Sequence, residues 1–198
     1  MIFVVEEHKK RAVIDKWKKK KQYRLICPKQ FGNVEFGETV ATKPEQLIGR
    51  TVKINLGVLT NQISQKHIEA KLRIVKVEGS NAQTEFAGFR VKTEYLRRLF
   101  RRRTSKVEVI STFETKDKQK VKIDAVCVTY GKQEVSKTKV IRKELFGFLE
   151  KSAKENSLEK LFELVLDHKK FFADLITKVK KITPINTIEV SKMVVVNK

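Results

Sequence analysis

The sequence has few cysteines and no long apolar run. Its two cysteines, Cys27 and Cys127, lie among strand-like apolar residues. They provide neither a disulfide framework nor metal-ligand spacing, so we interpret them as buried thiols. No apolar stretch approaches the roughly 18 residues that a membrane-spanning helix needs. Because the apolar residues 1–5 are followed at once by two glutamates, we also expect no signal peptide.

Sequence signatures of nucleotide, metal and catalytic sites are also missing. There is no glycine-rich phosphate loop, and His8, His67 and His168 share no ligand spacing. Glu69 near Lys66 and His67 could supply an acid and a base for RNA cleavage, but such pairs arise by chance in charged sequences. We therefore predict no cofactor, no metal and no enzymatic activity.

Acidic residues are scarce relative to basic ones. The 198 residues include 44 Lys and Arg against 23 Asp and Glu, which gives a net charge of +21. The hydrophobic share of 40% is enough for a globular core. Such a charge surplus causes self-repulsion, so it indicates an anionic partner: nucleic acid, an anionic membrane or an acidic protein.

Alternating apolar residues predict a sheet with one buried face. Val52, Ile54 and Leu56 alternate with polar residues, and the same spacing recurs over 68–74 and in a stretch over 82–91. Residues 105–114 and 119–130 show it again on either side of a polar turn. This last pair is predicted to form a β-hairpin.

Beyond the hairpin the apolar spacing becomes helical. It predicts helices around 140–149 and 158–165, and a short one over 171–182. Residues 185–196 are rich in β-branched side chains, which indicates a final strand. By contrast, 29–49 resembles a loop with one short helix at its end.

The fold class predicted from these elements is α+β. We expect an antiparallel β-barrel-like core with a short basic helix, followed by a helical segment and a closing C-terminal strand. The chain divides into a basic N-terminal arm over 1–24 and a single domain over 25–198. Within that domain we predict a core at 25–135, a helical segment at 137–183 and the final strand at 185–196.

The densest positive charge lies in the arm and in a short predicted helix. The arm has an unbroken lysine row over 18–21 beside Trp17, which could stack on an unpaired base or pack against the core. A helix from Thr93 to about Arg103, with Thr93 as a possible cap, would place Tyr95 and Leu96 opposite the arginines.

This helix lacks the acidic partners of an ordinary solvated face. Residues 90–106 contain eight basic residues and only one acid, Glu94, whereas 140–182 mixes ten basic with seven acidic residues. Arginine also favours bidentate phosphate contacts and stacking on bases. The pattern therefore indicates a surface that binds a polyanion. His67, beside a predicted strand, could either contact RNA or be structural.

An ordered set of short motifs resembles the archaeal and eukaryotic small-subunit ribosomal protein family S-one-e, formerly S-three-A-e. The set covers roughly residues 15–192. Its most recognisable segment is Thr93–Leu99 with Arg101–Arg103, Ser105 and Lys106. The other matching motifs are Asp15–Lys18, Cys27-Pro28, Phe31-Gly32, Pro44-Glu45, Ile48–Arg50, Leu59-Thr60, Lys66–Ile68, Thr115–Asp117 and Ile188–Val190.

The resemblance implies an rRNA-binding component of the small-subunit platform, near the mRNA exit and the 3′ end of the rRNA. The expected partners are small-subunit rRNA and neighbouring ribosomal proteins, with mRNA and initiation factors as further candidates, and the expected location is the cytoplasmic ribosome. The alternative is a translation-associated module that docks on a protein through 140–182. The residues expected to bind RNA are Lys16, Trp17, Lys18, Lys19, Lys20, Lys21, Arg50, Lys66, His67, Arg97, Arg98, Arg101, Arg102, Arg103 and Lys106.

Overall fold

The computed structural model describes residues 17, 19–28 and 31–196. Eight strands lie in this part of the chain. They are β1 (Lys21–Ile26), β2 (Glu35–Ala41), β3 (Thr51–Asn55), β4 (Ile68–Glu78), β5 (Asn81–Val91), β6 (Lys106–Glu114), β7 (Lys120–Thr129) and β8 (Ile185–Val196).

Two short helices lie between strands, and four more helices precede the last strand. They are α1 (Leu56–Leu59), α2 (Thr93–Leu99), α3 (Val135–Glu155), α4 (Leu158–Leu166), α5 (His168–Phe171) and α6 (Ala173–Lys180). Single 3₁₀ turns occur at Pro44–Gln46 and Ile63–Gln65. The predicted third helix over 171–182 corresponds to α6, and the short helix α5 before it was not predicted.

All eight strands belong to one sheet, with β5 at its branch point. One edge of β5 pairs with β4, and the other edge pairs with β1 at its start and with β8 near its end. β2 pairs with the far edge of β1, β7 and then β6 follow β8, and β3 pairs with the far edge of β4. The predicted α+β class is confirmed. Because β3 and β6 do not pair with each other in the described residues, the sheet is open, and the core is only loosely barrel-like.

The inner face of the sheet is buried under the C-terminal helices. In β4 and β7 the alternate residues Ala70, Leu72, Val121 and Ile123 are fully covered, as the alternation predicts. Phe162 of α4 reaches this face, with its ring 4.1 Å from that of Phe86 and 5.7 Å from that of Phe89. Each such side chain contributes about 1.5–3 kcal/mol on full burial.

The hairpin and the final strand are confirmed. β6 and β7 pair in register from Lys106↔Val128 to Glu114↔Lys120, and β8 lies between β5 and β7. β6 has no strand partner on its other side within the described chain. α3 lies beside that edge, where Arg142 Nε donates to the carbonyl oxygen of Glu108 at 3.3 Å.

The sequence prediction missed two strands and placed one residue wrongly. β1 begins inside the predicted arm and crosses its boundary at residue 24, because Tyr23 and Leu25 are buried on either side of exposed Arg24. β2 lies in the predicted loop, where only Ala41 is fully buried and no alternation shows in the sequence. Leu56, predicted in a strand, begins α1, since the Asn55 side chain accepts from Gly57 N and starts a helix.

Gly88 allows the close approach of β5 and β8. Its φ is +140°, and a Cβ there would overlap the carbonyl oxygen of Met193 and lie 2.9 Å from the Cα of Val194. Both atoms are backbone atoms and cannot rotate away. The sheet therefore requires glycine at this position.

We predict that Gly88→Ala lowers the free energy of unfolding by about 3 kcal/mol, from backbone strain and steric overlap. Urea denaturation followed by circular dichroism measures the change. Gly37→Ala in β2 is the matched control, because no atom lies within 4 Å of its added Cβ, and it should stay within about 0.5 kcal/mol of wild type. Equal losses in both variants would contradict this account.

Candidate nucleic-acid interface

α2 places two arginines on an exposed helical face. Tyr95 and Leu96 are half-buried against the core, whereas Arg97 and Arg98 are exposed, which confirms the predicted amphipathic arrangement. The cap is Lys92 and not Thr93: Thr93 is the first helical residue, and its hydroxyl accepts from Arg90 at 3.3 Å.

The helix ends earlier than predicted. Phe100 is extended, with φ −86° and ψ 105°, and Arg103 has a positive φ of 66°. The helical positions predicted for Arg101 and Arg102 are therefore wrong. Continued helix would place these two guanidinium groups one turn from Arg97 and Arg98, and like charges at that spacing repel.

The five arginines nevertheless remain together on the surface. Arg101, Arg102 and Arg103 are exposed in the turn after α2, which the Thr104 hydroxyl stabilises by donating to Arg101 O at 2.7 Å. We call Arg97, Arg98, Arg101, Arg102 and Arg103 the arginine segment. No carboxylate of the described residues lies within 4.0 Å of these guanidinium groups. The segment is thus an uncompensated positive surface.

Lys106, also predicted to bind RNA, differs from the arginine segment. Its ammonium group is ion-paired with Glu108 and lies 4.7 Å from the centre of the Phe100 ring. Much of its charge is satisfied within the protein.

Buried polar contacts fix α2 to the sheet. The Tyr95 hydroxyl donates to Oε1 of buried Glu189 at 2.9 Å, and Arg98 lies over the Tyr95 ring at 5.5 Å. Burial raises the pKa of Tyr95 to about 12, and the charge and hydrogen bond of Glu189 act in the same direction, while Arg98 opposes them. The His67 ring stacks on Tyr95 at 4.0 Å. That contact supports the structural alternative for His67, and RNA contact there stays a prediction.

Trp17 and the described lysines beside it lie on the surface. The Trp17 side chain is 69% exposed, which contradicts its packing against the core, and Lys20 Nζ lies 3.5 Å from the centre of its ring. Lys19 and Lys21 are exposed, and Lys21 begins β1. Two further predicted residues, Lys16 and Lys18, lie outside the described residues.

Arg50 and Lys66 lie away from the arginine segment in sequence and differ in their contacts. Arg50 Nη1 donates to Thr39 Oγ1 at 3.0 Å and to Val40 O at 3.4 Å, so it ties the turn before β3 to β2. Lys66 is exposed in the turn before β4. RNA binding by either residue remains a prediction.

Sequence reasoning missed four further cations on the outer face of the sheet, the face opposite the C-terminal helices. Lys53, Lys71, Arg90 and Lys192 come from four adjacent strands, and we call them the sheet cations. Burial lowers the pKa of Lys71, and so do the charges of Lys192, Lys53 and Arg90, while Glu69 opposes the shift. Their signal in the sequence was one cation at an outward position in each of the four strands.

The cysteines are buried thiols, as predicted. Burial raises the pKa of Cys27 to about 11 and that of Cys127 to about 12, and both thiols are free. Over the described ranges, no group of three or more His, Cys, Asp or Glu side chains could hold a metal ion. None of the described helices is long and apolar enough to span a membrane.

Comparison with known proteins gives a consistent result. The profile of the ribosomal S3Ae family matches residues 8–198. The chain is 35% identical to small ribosomal subunit protein eS1 of Methanobrevibacter smithii, over 95% of this chain and 97% of the relative. It is 38% identical to the protein of that name from Archaeoglobus fulgidus (93% and 89% covered) and 35% identical to that of Desulfurococcus amylolyticus (93% and 86%).

We predict that Tyr95→Phe lowers the free energy of unfolding by about 1–3 kcal/mol, because Glu189 loses a buried donor. Urea denaturation measures this change in the free energy of unfolding. Tyr130→Phe is the matched control, since that side chain is 66% exposed, and it should change stability by less than about 0.5 kcal/mol.

The Tyr95 contribution should also depend on pH. Because folding raises the pKa of Tyr95 from 10.0 to about 12, the stabilisation is complete below pH 10 and declines as the pH rises towards 12. The difference in stability between wild type and Tyr95→Phe should shrink over that window. A difference that stayed constant to pH 12 would show that the hydroxyl does not interact with Glu189 in this way.

Proposed function

The chain belongs to the ribosomal S3Ae family, and from this premise we propose that it is a structural constituent of the small ribosomal subunit that binds rRNA. Its site would be the platform, near the mRNA exit and the 3′ end of the small-subunit rRNA, where it takes part in subunit assembly and translation. Neighbouring ribosomal proteins would be its other partners, with mRNA and initiation factors close by.

The arginine segment is the observation that carries the proposal. Five exposed guanidinium groups lie within seven residues and have no carboxylate partner within 4.0 Å in the described structure. Phosphates supply the missing negative charge, and the release of their counterions favours binding. Arginine binds them with paired N–H donors, which also fixes orientation.

The mechanism is charge neutralisation from a rigid support. Tyr95 and its hydrogen bond to Glu189 hold α2 on the sheet, so Arg97 and Arg98 face the RNA in a fixed geometry. The turn after α2 would extend this contact with RNA. Trp17 and the lysines beside it would bind RNA at another place on the surface. Folded A-form RNA presents mainly backbone and 2′-hydroxyl groups to side chains, so recognition would depend on shape. The protein would hold RNA and not alter it.

We predict that changing Arg97, Arg98 and Arg101 to Glu abolishes incorporation into small subunits, because phosphates would then meet like charges. Sedimentation of ribosomal particles from cells that express the variant measures incorporation. The circular dichroism melting curve should stay nearly unchanged, since the three side chains are exposed.

The matched control changes three exposed lysines on the C-terminal helices, Lys143, Lys151 and Lys160, to Glu. It alters the net charge equally and should leave incorporation intact. Wild-type protein should leave the subunit only in high salt. Incorporation of the arginine variant, or equal loss in both variants, would overturn the rRNA-facing role. Retention in high salt would favour docking on a protein through 140–182.

A further inference from the structure

The sheet cations form a compact cluster on an open face. Lys53 is paired directly with Lys71 across β3 and β4, and Arg90 is paired with Lys192 across β5 and β8. Lys71 is opposite Gly88, two residues from Arg90. Because adjacent strands lie about 4.8 Å apart, the four Cα atoms fall within about 15 Å of one another across the sheet.

Two acidic residues lie beside this cluster, Glu69 opposite Arg90 and Asp124 opposite Lys192 in the strand register, which leaves four cations against two carboxylates. No carboxylate of the described residues lies within 4.0 Å of the charged nitrogens of the four side chains. Like charges directly opposite each other on neighbouring strands destabilise a sheet. Burial is the main cause of the lowered pKa of Lys71, and the charges of Lys192, Lys53 and Arg90 lower it further while Glu69 opposes them. An anion bound above the pairs Lys53–Lys71 and Arg90–Lys192 would lessen the repulsion within each pair.

Gly88 lies at the centre of the cluster. It lies between Lys71 and Val194 in the register and has no side chain. Val194, which is half-buried, is the apolar residue at this point, and one such side chain is a smaller apolar centre than protein interfaces typically have. Three of the four cations are exposed and Lys71 is half-buried, and a row of positive charges of this kind suits a phosphate backbone better than a protein surface.

The cluster adjoins α2. Arg90 and Lys192 also line a cavity of about 300 Å³ between α2 and the sheet, together with Leu96 and Phe100. Glu108 and Asp124 lie in the same cavity, towards β6 and β7. The positive part of the face is therefore the part formed by β3, β4, β5 and β8, next to the start of α2.

We propose that Lys53, Lys71, Arg90 and Lys192 form a second RNA-backbone site, which binds phosphates separately from the arginine segment. The site rests on the proposed rRNA-binding function and extends it: two positive surfaces on adjoining elements bind different backbone segments of folded RNA. Lysine supplies point charges here, so this site contributes affinity and salt dependence, while the arginines orient the RNA.

The test uses the full-length protein and small-subunit rRNA transcribed in vitro. Lys53, Lys71 and Lys192 are changed together to Gln, and binding is measured over a range of salt concentrations. Loss of three phosphate contacts should reduce the slope of log affinity against log salt by about 2. Affinity at low salt should fall at least about tenfold, since each contact contributes to the electrostatic term.

Two comparison variants separate the outcomes. Arg97→Gln with Arg98→Gln tests the arginine segment, and Lys143, Lys151 and Lys160 changed to Gln form the matched control. We call the change of Lys53, Lys71 and Lys192 to Gln the sheet variant, and Arg97→Gln with Arg98→Gln the arginine variant. If the sheet variant binds RNA like wild type while the arginine variant binds more weakly, the second site is wrong and the proposed function stands. If both variants bind RNA like wild type, the second site and the proposed function are both wrong. Equal weakening of the control would show an effect of net charge alone and would overturn the site.

Stability and vesicle binding supply independent measurements. The sheet variant removes the repulsion between the paired cations, so it should unfold at the same urea concentration as wild type or at a higher one. The single change Lys71→Gln should have the same effect on the urea midpoint. A lower midpoint for Lys71→Gln would overturn the argument from repulsion. Vesicles containing phosphatidylserine test the membrane alternative: loss of vesicle binding without loss of RNA binding would also overturn the RNA site.

Discussion

Burial of the inner sheet face beneath α3–α6 is the interaction on which the rest of the structure depends. The rings of Phe86, Phe89 and Phe162 meet there, and the helices add Leu145 and Leu149. This apolar contact must outweigh the mutual repulsion in a chain of net charge +21. The outer face of the sheet carries the sheet cations, and α2 with the turn after it carries the arginine segment.

The polar contacts of α2 then determine where that charge points. A seven-residue helix has little stability of its own. Tyr95 provides the missing stability through the buried carboxylate of Glu189, and His67 stacks on its ring. Two residues distant in sequence, Glu189 and His67, thus help to position Arg97 and Arg98 through their contacts with Tyr95.

Period and charge in the sequence predicted the parts of the fold that depend on local pattern. The hairpin β6–β7, the strand β8 and the amphipathic face of α2 follow from apolar spacing, and the structure confirms them. β2 escaped prediction because an edge strand with one fully buried residue shows no alternation. The end of α2 at Leu99 reflects repulsion between neighbouring arginines, which apolar spacing does not reveal. The sheet cations depend on strand register, which is set only when distant segments meet.

The free edge of β6 has a consequence for the unassembled protein. An unpaired strand of nine residues could add a strand from another copy of the chain. α3 lies beside this edge and Arg142 occupies the carbonyl of Glu108, so one of the backbone acceptors needed for such cross-chain pairing is already used. Newly made chains awaiting assembly are thereby hindered from stacking edge to edge into aggregates.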